Sequence, residues 1–369
     1  MCLLTPGLVT DLIGFILVLP PTRYPIRLGL KGWAEKMIQN NQVLIDSLPE
    51  GKLTEKNYKL VESSMPETSE NEVMVKTIAF AITAGTRAGL QGSASYAGAP
   101  QTGVVMNSTG VGEVVESNNS KINVGTKVMV PTGWQSYSVH KANALTVIPE
   151  EVDPLLYLGP LGVNGLTAYF GLLSVGQPKA GETVMVSAAA GSVGHMVGQM
   201  AKIKECSVVG VCGTNEKCER LETELGFDHA LNYKDGNFRQ SLKESTPNGV
   251  DVYFDNTGGM ILGSALFRLN VGGRIACCGV VSQYDTNSPE PGPKGIPGLL
   301  INKRIHMQGF LVFDFSDQYE KASSEIVRWI DSGDLKILTD EVKGLEAAPN
   351  AFVDLLAGGN IGTRIVRLD

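Results

Sequence analysis

The stretch VMVSAAAGSVGHMVGQMAKI, residues 184–203, constrains the fold more than any other part of the chain. It begins as an apolar strand, ends as a helix, and has only small residues between the two. Ala189, Gly191 and Gly194 stand at the spacing of the dinucleotide-binding fingerprint, with alanine in the first glycine position. The second glycine of that pattern lets the backbone approach a pyrophosphate, and the helix N-terminus offers free N–H groups to phosphates. A strand–turn–helix whose small residues serve packing alone is the alternative, so the surrounding sequence must decide.

The surrounding sequence favours dinucleotide binding. From about residue 163 to 330 the chain alternates strand-like and helix-like segments, which indicates a parallel, doubly wound sheet. Residues 40–162 carry short strands and glycine turns instead, which indicates a β-rich domain. We therefore predict an α/β protein with a Rossmann domain at 163–330 and a β-rich domain at 40–162 that residues 331–369 complete.

Two further segments carry structural expectations. The helical segment 317–333 and the closing segment 352–369 are expected to pack back on the first domain. The proline-rich segment 284–298, YDTNSPEPGPKGIPG, is expected to form an irregular surface loop that could act as a lid.

The second predicted strand of the Rossmann domain suggests which cofactor binds. An NAD site usually places an acidic residue about 20 residues after the glycines, at the end of this strand. Here Gly213, Thr214 and Asn215 occupy that place, and Glu216 and Lys217 follow. Small polar residues beside a cation favour a 2′-phosphate, and hence NADP(H), although Glu216 leaves NAD(H) open.

Other predicted strand ends carry residues that could meet the same ligand, because ligands of open α/β sheets lie outside the carboxyl ends of the strands. Asn256 and Gly258 follow the fourth strand, and Phe310–Val312 follow the sixth. Gly279, Ser282 and Tyr284 follow the fifth strand.

The composition indicates which binding partners and which cellular compartment to expect. The net charge of −7 argues against nucleic acid, whose phosphates require basic surfaces. The cysteines form no C-x-x-C pair and no cluster with zinc spacing, so no metal site and a reducing cytoplasm are expected. Adjacent Cys277 and Cys278 are interpreted as small buried residues on a strand.

The first 39 residues differ from the remainder of the chain. Leu3 to Pro21 is apolar and nearly long enough to cross a bilayer, but Asp11 and three prolines argue against a span. No signal-peptide pattern is present. The segment resembles the tail of a small bacterial inner-membrane protein family of the phage-exclusion-suppressor type. We interpret residues 1–39 as an extension from a joined upstream reading frame or an early start, with a membrane anchor as the alternative and the enzyme beginning near Asn40.

Several motifs together resemble one enzyme family. LGVNGLTAYFGLL, GETVMVSAAAGSVG, FDNTGG, CGVVSQY and GGNIGTRIV are similar to the zinc-independent medium-chain dehydrogenases/reductases, of the leukotriene hydroxydehydrogenase, prostaglandin reductase and alkenal double-bond reductase type. The resemblance covers residues 40–369. It implies a GroES-like catalytic domain beside the Rossmann domain, NADPH in the cleft, and a homodimer. It also implies reduction of a C=C bond conjugated to a carbonyl, with hydride added at the β-carbon and a proton at the α-carbon.

The resemblance also implies individual roles. Tyr284 would lie near the nicotinamide and act as proton donor or enolate partner, with packing under the proline-rich loop as the alternative. Lys217 and Tyr233 would flank the 2′-phosphate. The full set of cofactor-binding candidates is Ala189, Ala190, Gly191, Ser192, Gly194, Lys217, Tyr233, Asn256, Cys278, Gly279, Ser282, Tyr284, Phe310, Leu311, Val312 and Asn360.

One segment departs from the family pattern. Where the family usually has L-D-P-Y-M-R, this chain has Ile82-Thr83-Ala84-Gly85-Thr86-Arg87, which predicts a wider pocket and leaves the identity of the substrate open. Tyr96 is the candidate to replace the missing ring. Two alternative functions also remain: a zinc-free NADPH quinone reductase, and an NADPH-binding scaffold or sensor without turnover.

Overall fold

The computed structural model describes residues 39–94, 98–289 and 291–368. Tyr96 and the N-terminal extension therefore lie outside the described residues. The described strands form a two-stranded, a six-stranded and a seven-stranded sheet. None of the helices in the described ranges is long and apolar enough to cross a membrane.

The six-stranded sheet confirms the predicted doubly wound arrangement. Its strands are β8 (Thr183–Ser187), β9 (Ser207–Cys212), β10 (His229–Asn232), β11 (Val250–Asp255), β12 (Leu269–Cys277) and β13 (His306–Gly309). They pair in parallel in the order β10-β9-β8-β11-β12-β13, which is the strand order of a Rossmann sheet. The central strands are buried runs of valine and other apolar residues, as expected for a sheet covered by helices on both faces.

The helices of this half of the chain connect and cover the strands. They are α2 (Val163–Phe170), α3 (Gly194–Ile203), α4 (Asn215–Leu225), α5 (Phe238–Ser245), α6 (Gly259–Arg268), α7 (Ile296–Lys303) and α8 (Tyr319–Asp331). A π-helical turn, Gly171–Gly176, continues α2. A Cβ at Gly171 would collide with the rings of Phe254 and Phe310, so glycine there permits close packing under the sheet.

The seven-stranded sheet contains the β-rich part of the chain. Its strands are β3 (Glu72–Ile82), β4 (Gly110–Ser117), β5 (Lys127–Val130), β6 (Tyr137–Lys141), β7 (Thr146–Val147), β14 (Thr339–Lys343) and β15 (Thr363–Arg367). The remaining strands, β1 (Asn40–Ile45) and β2 (Tyr58–Ser63), pair antiparallel with each other, and the helices of this half are α1 (Gly85–Leu90) and α9 (Ala348–Leu356). β15 pairs antiparallel with β3, so the closing segment does return to the first half of the chain.

The expectation for segment 317–333 was wrong. Helix α8 buries Ala322, Ile326 and Trp329 in the core that also contains Val184 of β8 and Met196 of α3. The Trp329 ring lies 5.9 Å from the ring of Tyr169 on α2. The amphipathic pattern of α8 identified a helix with one apolar face, but it did not identify which sheet that face covers.

The proline-rich segment agrees with its prediction as a surface loop. Its described residues before α7 have no regular secondary structure beyond turns and bends, and most of them are exposed. The domain limits themselves remain a prediction.

Candidate functional site

A cavity of about 1500 Å³ is lined by residues from both halves of the chain. The Rossmann half contributes the turn after β8 and the carboxyl ends of β9, β10, β11, β12 and β13. The β-rich half contributes segments 81–86, 89–90, 98–101 and 104–109. The cavity is larger than the 300–1,000 Å³ typical of sites for one small molecule.

The fingerprint turn lies in the wall of this cavity. Ala188 adopts a left-handed backbone with φ of 47° and starts the turn that ends where α3 begins at Gly194. A Cβ at Gly194 would collide with the Ala188 carbonyl oxygen and would lie 2.8 Å from the Ala189 Cα, so only glycine fits there. At Gly191 a Cβ would lie 3.2 Å from the same carbonyl oxygen. The small residues therefore allow the turn to close tightly and keep its backbone accessible to a ligand.

The turn also contacts the last strand of the β-rich half. The Gly362 N–H donates to the Ala190 carbonyl oxygen at 2.8 Å, and the Ser192 and Thr363 hydroxyl oxygens lie 2.6 Å apart. The Asn360 amide donates to the Gly362 carbonyl oxygen at 2.9 Å. These contacts place Asn360 at the edge of the cavity, beside the fingerprint.

Two lysines lie at the end of the cavity beyond β9 and β10. Lys217, in the first turn of α4, is half-buried, and its Nζ donates to the Gly358 carbonyl oxygen at 2.6 Å. Burial lowers the pKa of Lys217 from its usual value. The Lys234 Nζ lies 5.8 Å from the centre of the Tyr233 ring. A Cβ at Gly213 would lie 3.4 Å from that ring and 3.6 Å from the Lys234 Nζ, so both side chains border the glycine that stands in place of an acid.

Glu216 does not contribute to this end of the cavity. Its side chain is exposed in the first turn of α4, and it is absent from the described residues that line the cavity. The end of the cavity is therefore cationic, which suits a phosphate group better than a ribose hydroxyl.

The turn after β11 is held by a buried carboxylate. Asp255 Oδ1 accepts hydrogen bonds from the Tyr253 hydroxyl at 2.8 Å and from the Thr257 and Gly258 N–H groups at 3.0 and 2.8 Å. Burial raises the pKa of Asp255. The next residue, Asn256, donates from its side-chain amide to the Ser187 carbonyl oxygen at 2.7 Å and lines the cavity.

The loop after β12 carries Tyr284 into the cavity wall. The Cys278 and Gly279 N–H groups donate to the Asp255 carbonyl oxygen, and the Ser282 N–H donates to that of Thr257. Tyr284 follows the short 3-10 helix Val281–Gln283, and its N–H donates to the Val281 carbonyl oxygen at 3.0 Å. Burial raises the pKa of the Cys278 thiol to about 12, so it stays protonated near neutral pH.

The structure brings together nearly all the predicted cofactor-binding residues. Ala190, Gly191, Ser192, Gly194, Lys217, Tyr233, Asn256, Cys278, Gly279, Ser282, Tyr284, Phe310, Leu311, Val312 and Asn360 all line the cavity. Ala189 does not: it is fully buried and packs towards Gly210 of β9. The sequence analysis missed Ala188, Thr257 and Lys234. A signal for Lys234 was available, because it follows Tyr233 at the end of the third parallel strand.

His195, in the first turn of α3, has a structural position. It is fully buried, its Nδ1 lies 2.9 Å from the Gly191 carbonyl oxygen, and its Nε2 accepts from the Leu338 N–H at 3.2 Å. Because Nε2 accepts, Nδ1 carries the proton and donates to Gly191. Burial lowers the pKa of His195 to about 4, so the ring is neutral under ordinary conditions and ties the turn to the chain before β14.

The described ranges contain no group of three or more His, Cys, Asp or Glu residues placed to hold a metal ion. The five cysteines in these ranges are free thiols, and Cys2 lies outside them. The sequence analysis expected buried residues on a strand; Cys277 is the last residue of β12, Cys278 follows the strand, and both are half-buried.

Family models match three parts of the chain. The model described as zinc-binding dehydrogenase matches residues 192–328, and the model of the N-terminal domain of oxidoreductases matches residues 41–148. The model described as FxsA cytoplasmic membrane protein matches residues 1–33, which confirms the resemblance noted for the N-terminal extension.

Individual relatives match over nearly their whole length. The NADPH-dependent curcumin reductase of Escherichia coli is 35% identical over 89% of this chain and 97% of its own. The NADP⁺-dependent 2-alkenal reductase of Nicotiana tabacum is 38% identical over 89% and 97%. The crystal structure of CurA from Vibrio vulnificus in complex with NADPH superposes with a TM-score of 0.86, at 36% identity over 89% of this chain and 99% of that one. The chain therefore belongs to the zinc-independent medium-chain dehydrogenase/reductase family.

Proposed function

We propose that this chain is an NADPH-dependent reductase of the C=C bond in α,β-unsaturated carbonyl compounds. The observation that carries the proposal is one cavity lined by the fingerprint turn, by Lys217 and Lys234, and by Tyr284. Relatives that share more than a third of their residues with this chain include a 2-alkenal reductase and prostaglandin reductase 1. The cavity would also suit an NADPH quinone reductase, so these relatives are what favour C=C reduction over the alternatives.

The residues of the cavity fit NADP(H). The turn at 188–194 and the start of α3 would bind the pyrophosphate, and Lys217, Tyr233 and Lys234, which line the same cavity, would surround the 2′-phosphate. No carboxylate among the described lining residues opposes a phosphate there. When bound, NADPH supplies the hydride that the β-carbon of the substrate receives.

The chain's own residues supply orientation and a proton. As the β-carbon is reduced, negative charge develops on the carbonyl oxygen, and a hydrogen-bond donor at that oxygen stabilises the transition state. The Tyr284 phenol can donate to the oxygen and can deliver the proton that the α-carbon finally receives. The apolar wall formed by residues such as Leu90, Val105 and Met106 limits access of water to the reacting atoms.

The segment that departs from the family pattern forms part of the substrate wall. Thr83, Ala84, Gly85 and Thr86 line the cavity, and a Cβ at Gly85 would meet nothing within 4 Å. Small side chains there leave room that a tyrosine and a methionine would occupy. We therefore assign the enzyme to conjugated carbonyl compounds with a bulky apolar substituent, in addition to small enals.

A substrate panel tests this function. We expect NADPH oxidation with enals and enones, and little oxidation with simple quinones. Tyr284→Phe is expected to lower kcat by roughly 10-fold, because water or a ribose hydroxyl can replace the phenol in part, and to leave NADPH affinity unchanged. Faster turnover of quinones than of enones would favour the quinone reductase, and no turnover of either class would favour the scaffold.

Two finer features belong to the same proposal. Within the described residues, no strand pairs with the outer edge of β13, and Ile301 on the neighbouring α7 is 75% exposed. An unpaired edge and an exposed apolar side chain support a homodimer formed at this edge. Light scattering of the purified protein tests it, and a monomer at micromolar concentration would contradict it.

We also place the enzyme in the cytoplasm, where NADPH and reduced thiols are available, and fractionation of cells checks this.

A further inference from the structure

A buried ion pair connects the two halves of the chain directly beside Tyr284. Arg87, on α1, has a side chain that is only 1% exposed, and its Nε lies 3.2 Å from Asp285 Oδ1. Asp285 immediately follows Tyr284 in the loop after β12. The two residues are 198 positions apart in the chain, so the pair fixes the loop of one half against a helix of the other.

Further contacts support the same junction. Arg87 Nη2 donates to the Gly51 carbonyl oxygen at 2.5 Å, and Asp285 Oδ1 also accepts from the Leu53 N–H. The Gln91 amide lies 3.4 Å from the Gln283 carbonyl oxygen. The residues on both sides of Tyr284 are therefore each held by the β-rich half of the chain.

The geometry of the pair is specific rather than a chance surface contact. Asp285 has a left-handed backbone with φ of 57°, which residues other than glycine, asparagine and aspartate rarely adopt. Arg87 Nη1 is buried and has no hydrogen-bond partner, so the guanidinium is held in place without all of its donors being satisfied. The pair therefore joins a residue type suited to the left-handed backbone with a buried cation that is incompletely paired, and an unpaired buried donor calls for an explanation beyond packing.

The two faces of α1 have different tasks. Gly85, Thr86, Gly89 and Leu90 of α1 line the cavity, whereas Arg87 is absent from the lining and contacts the loop. Helix α1 can therefore set the width of the substrate wall and the position of Tyr284 at the same time.

We infer that Arg87 and Asp285 are positioning residues that hold Tyr284 in its reactive place. The inference rests on the proposed catalytic role of Tyr284. Neither side chain needs to touch the substrate, because the pair acts by fixing the loop and thereby the orientation of the phenol. Loss of such orientation lowers the rate even when all the reacting groups are present.

The test is a double-mutant cycle between Asp285→Asn and Tyr284→Phe. Asparagine tolerates the left-handed backbone and keeps a hydrogen-bond acceptor, so this variant removes the charge with little other change. We expect Asp285→Asn to lower kcat by roughly 5-fold, and to have almost no further effect in the Tyr284→Phe background, because positions that act as a unit are non-additive. NADPH affinity is expected to stay unchanged in all the variants.

A second readout does not depend on turnover. Amide hydrogen exchange of residues 281–287, measured on the protein without substrate, is expected to be faster in Asp285→Asn than in the original chain. Arg87→Lys keeps the charge but loses the planar donor set, so this variant should also have a lower kcat and faster amide hydrogen exchange in residues 281–287. Tyr58→Phe is the control, because it removes a buried, unpartnered hydroxyl near the pair without altering the pair itself.

The outcomes separate the two claims. If Tyr284→Phe turns over enones at the original rate, the catalytic role of Tyr284 is wrong, and the positioning role fails with it. If Tyr284→Phe is slow but the two losses multiply in the double variant, Tyr284 is catalytic and the positioning role is overturned. The positioning role would also be overturned if Asp285→Asn had the same kcat as the original chain, or the same rate of hydrogen exchange.

Discussion

Removing the Lys217 side chain should weaken NADPH binding selectively. A charge-assisted hydrogen bond contributes about 1.5–3 kcal/mol, which corresponds to roughly 10- to 100-fold in affinity. The Lys217 Nζ has three donors and gives one to the Gly358 carbonyl oxygen, so two remain for a phosphate. Lys234 lines the same cavity and would still face the phosphate after the substitution. We therefore expect Lys217→Ala to lower NADPH affinity by about 10-fold, the lower end of the range.

The double variant should show the full effect. With Lys217→Ala and Lys234→Ala combined, no lysine remains among the described lining residues, and the loss should approach roughly 100-fold. NADH lacks the 2′-phosphate, so its affinity should remain nearly unchanged in every variant. Isothermal titration of each protein with NADPH and with NADH measures both constants. Lys243→Ala is the matched control, because Lys243 is exposed on α5 and absent from the described cavity lining.

One result would refute this reasoning. If Lys217→Ala weakens the binding of NADPH and of NADH equally, the lysine either stabilises the fold of the site or contacts a group that both nucleotides have. The 2′-phosphate would then bind elsewhere.

Three further predictions concern pH, the substrate wall and metal. The pKa of His195 falls from 6.5 to about 4 on folding, so between these pH values the unfolded chain binds a proton that the folded chain does not. The free energy of unfolding should therefore fall by up to about 3 kcal/mol as the pH drops through this window. Urea unfolding of the original chain and of His195→Gln checks this, and parallel pH profiles would contradict it. Gly85→Phe should place a ring in open cavity space and lower kcat/KM for bulky enones relative to short enals by about 10-fold. Gly236→Phe is the control, because Gly236 is absent from the described cavity lining. If the two variants show the same selectivity, α1 does not set the width of the cavity. Purified enzyme should keep its activity in excess EDTA, and activity lost to EDTA and restored by Zn²⁺ would overturn this prediction.

Local patterns predicted the parallel sheet and many of the residues that line the cavity at its edge. The fingerprint at 189–194 and the alternation after it led to the parallel, doubly wound sheet that is observed, because a turn and its flanking elements are encoded by adjacent residues; the strand order itself was not predicted. The absence of an acid after β9 pointed to Lys217, which does line the cavity.

Contacts between distant residues could not be predicted in the same way. Nothing in the segment around Arg87 indicates Asp285, since the pair exists only when a loop of one half meets a helix of the other. The apolar face of α8 is visible in the sequence, but its packing against α2 depends on the assembled core. Lys234 differs from these cases, because its position after Tyr233 at the end of β10 was a usable signal, although the pairing of β9 with β10 is what brings it near Lys217.

The position of the transferred hydride tests the proposed function most directly. NADPH that carries deuterium at the transferred position should be incubated with an enone, and the product examined by NMR. We predict a saturated ketone with deuterium at the β-carbon and, in a parallel reaction in deuterated water with ordinary NADPH, deuterium at the α-carbon. An allylic alcohol with deuterium on the former carbonyl carbon, or an enone that is not consumed, would contradict the account.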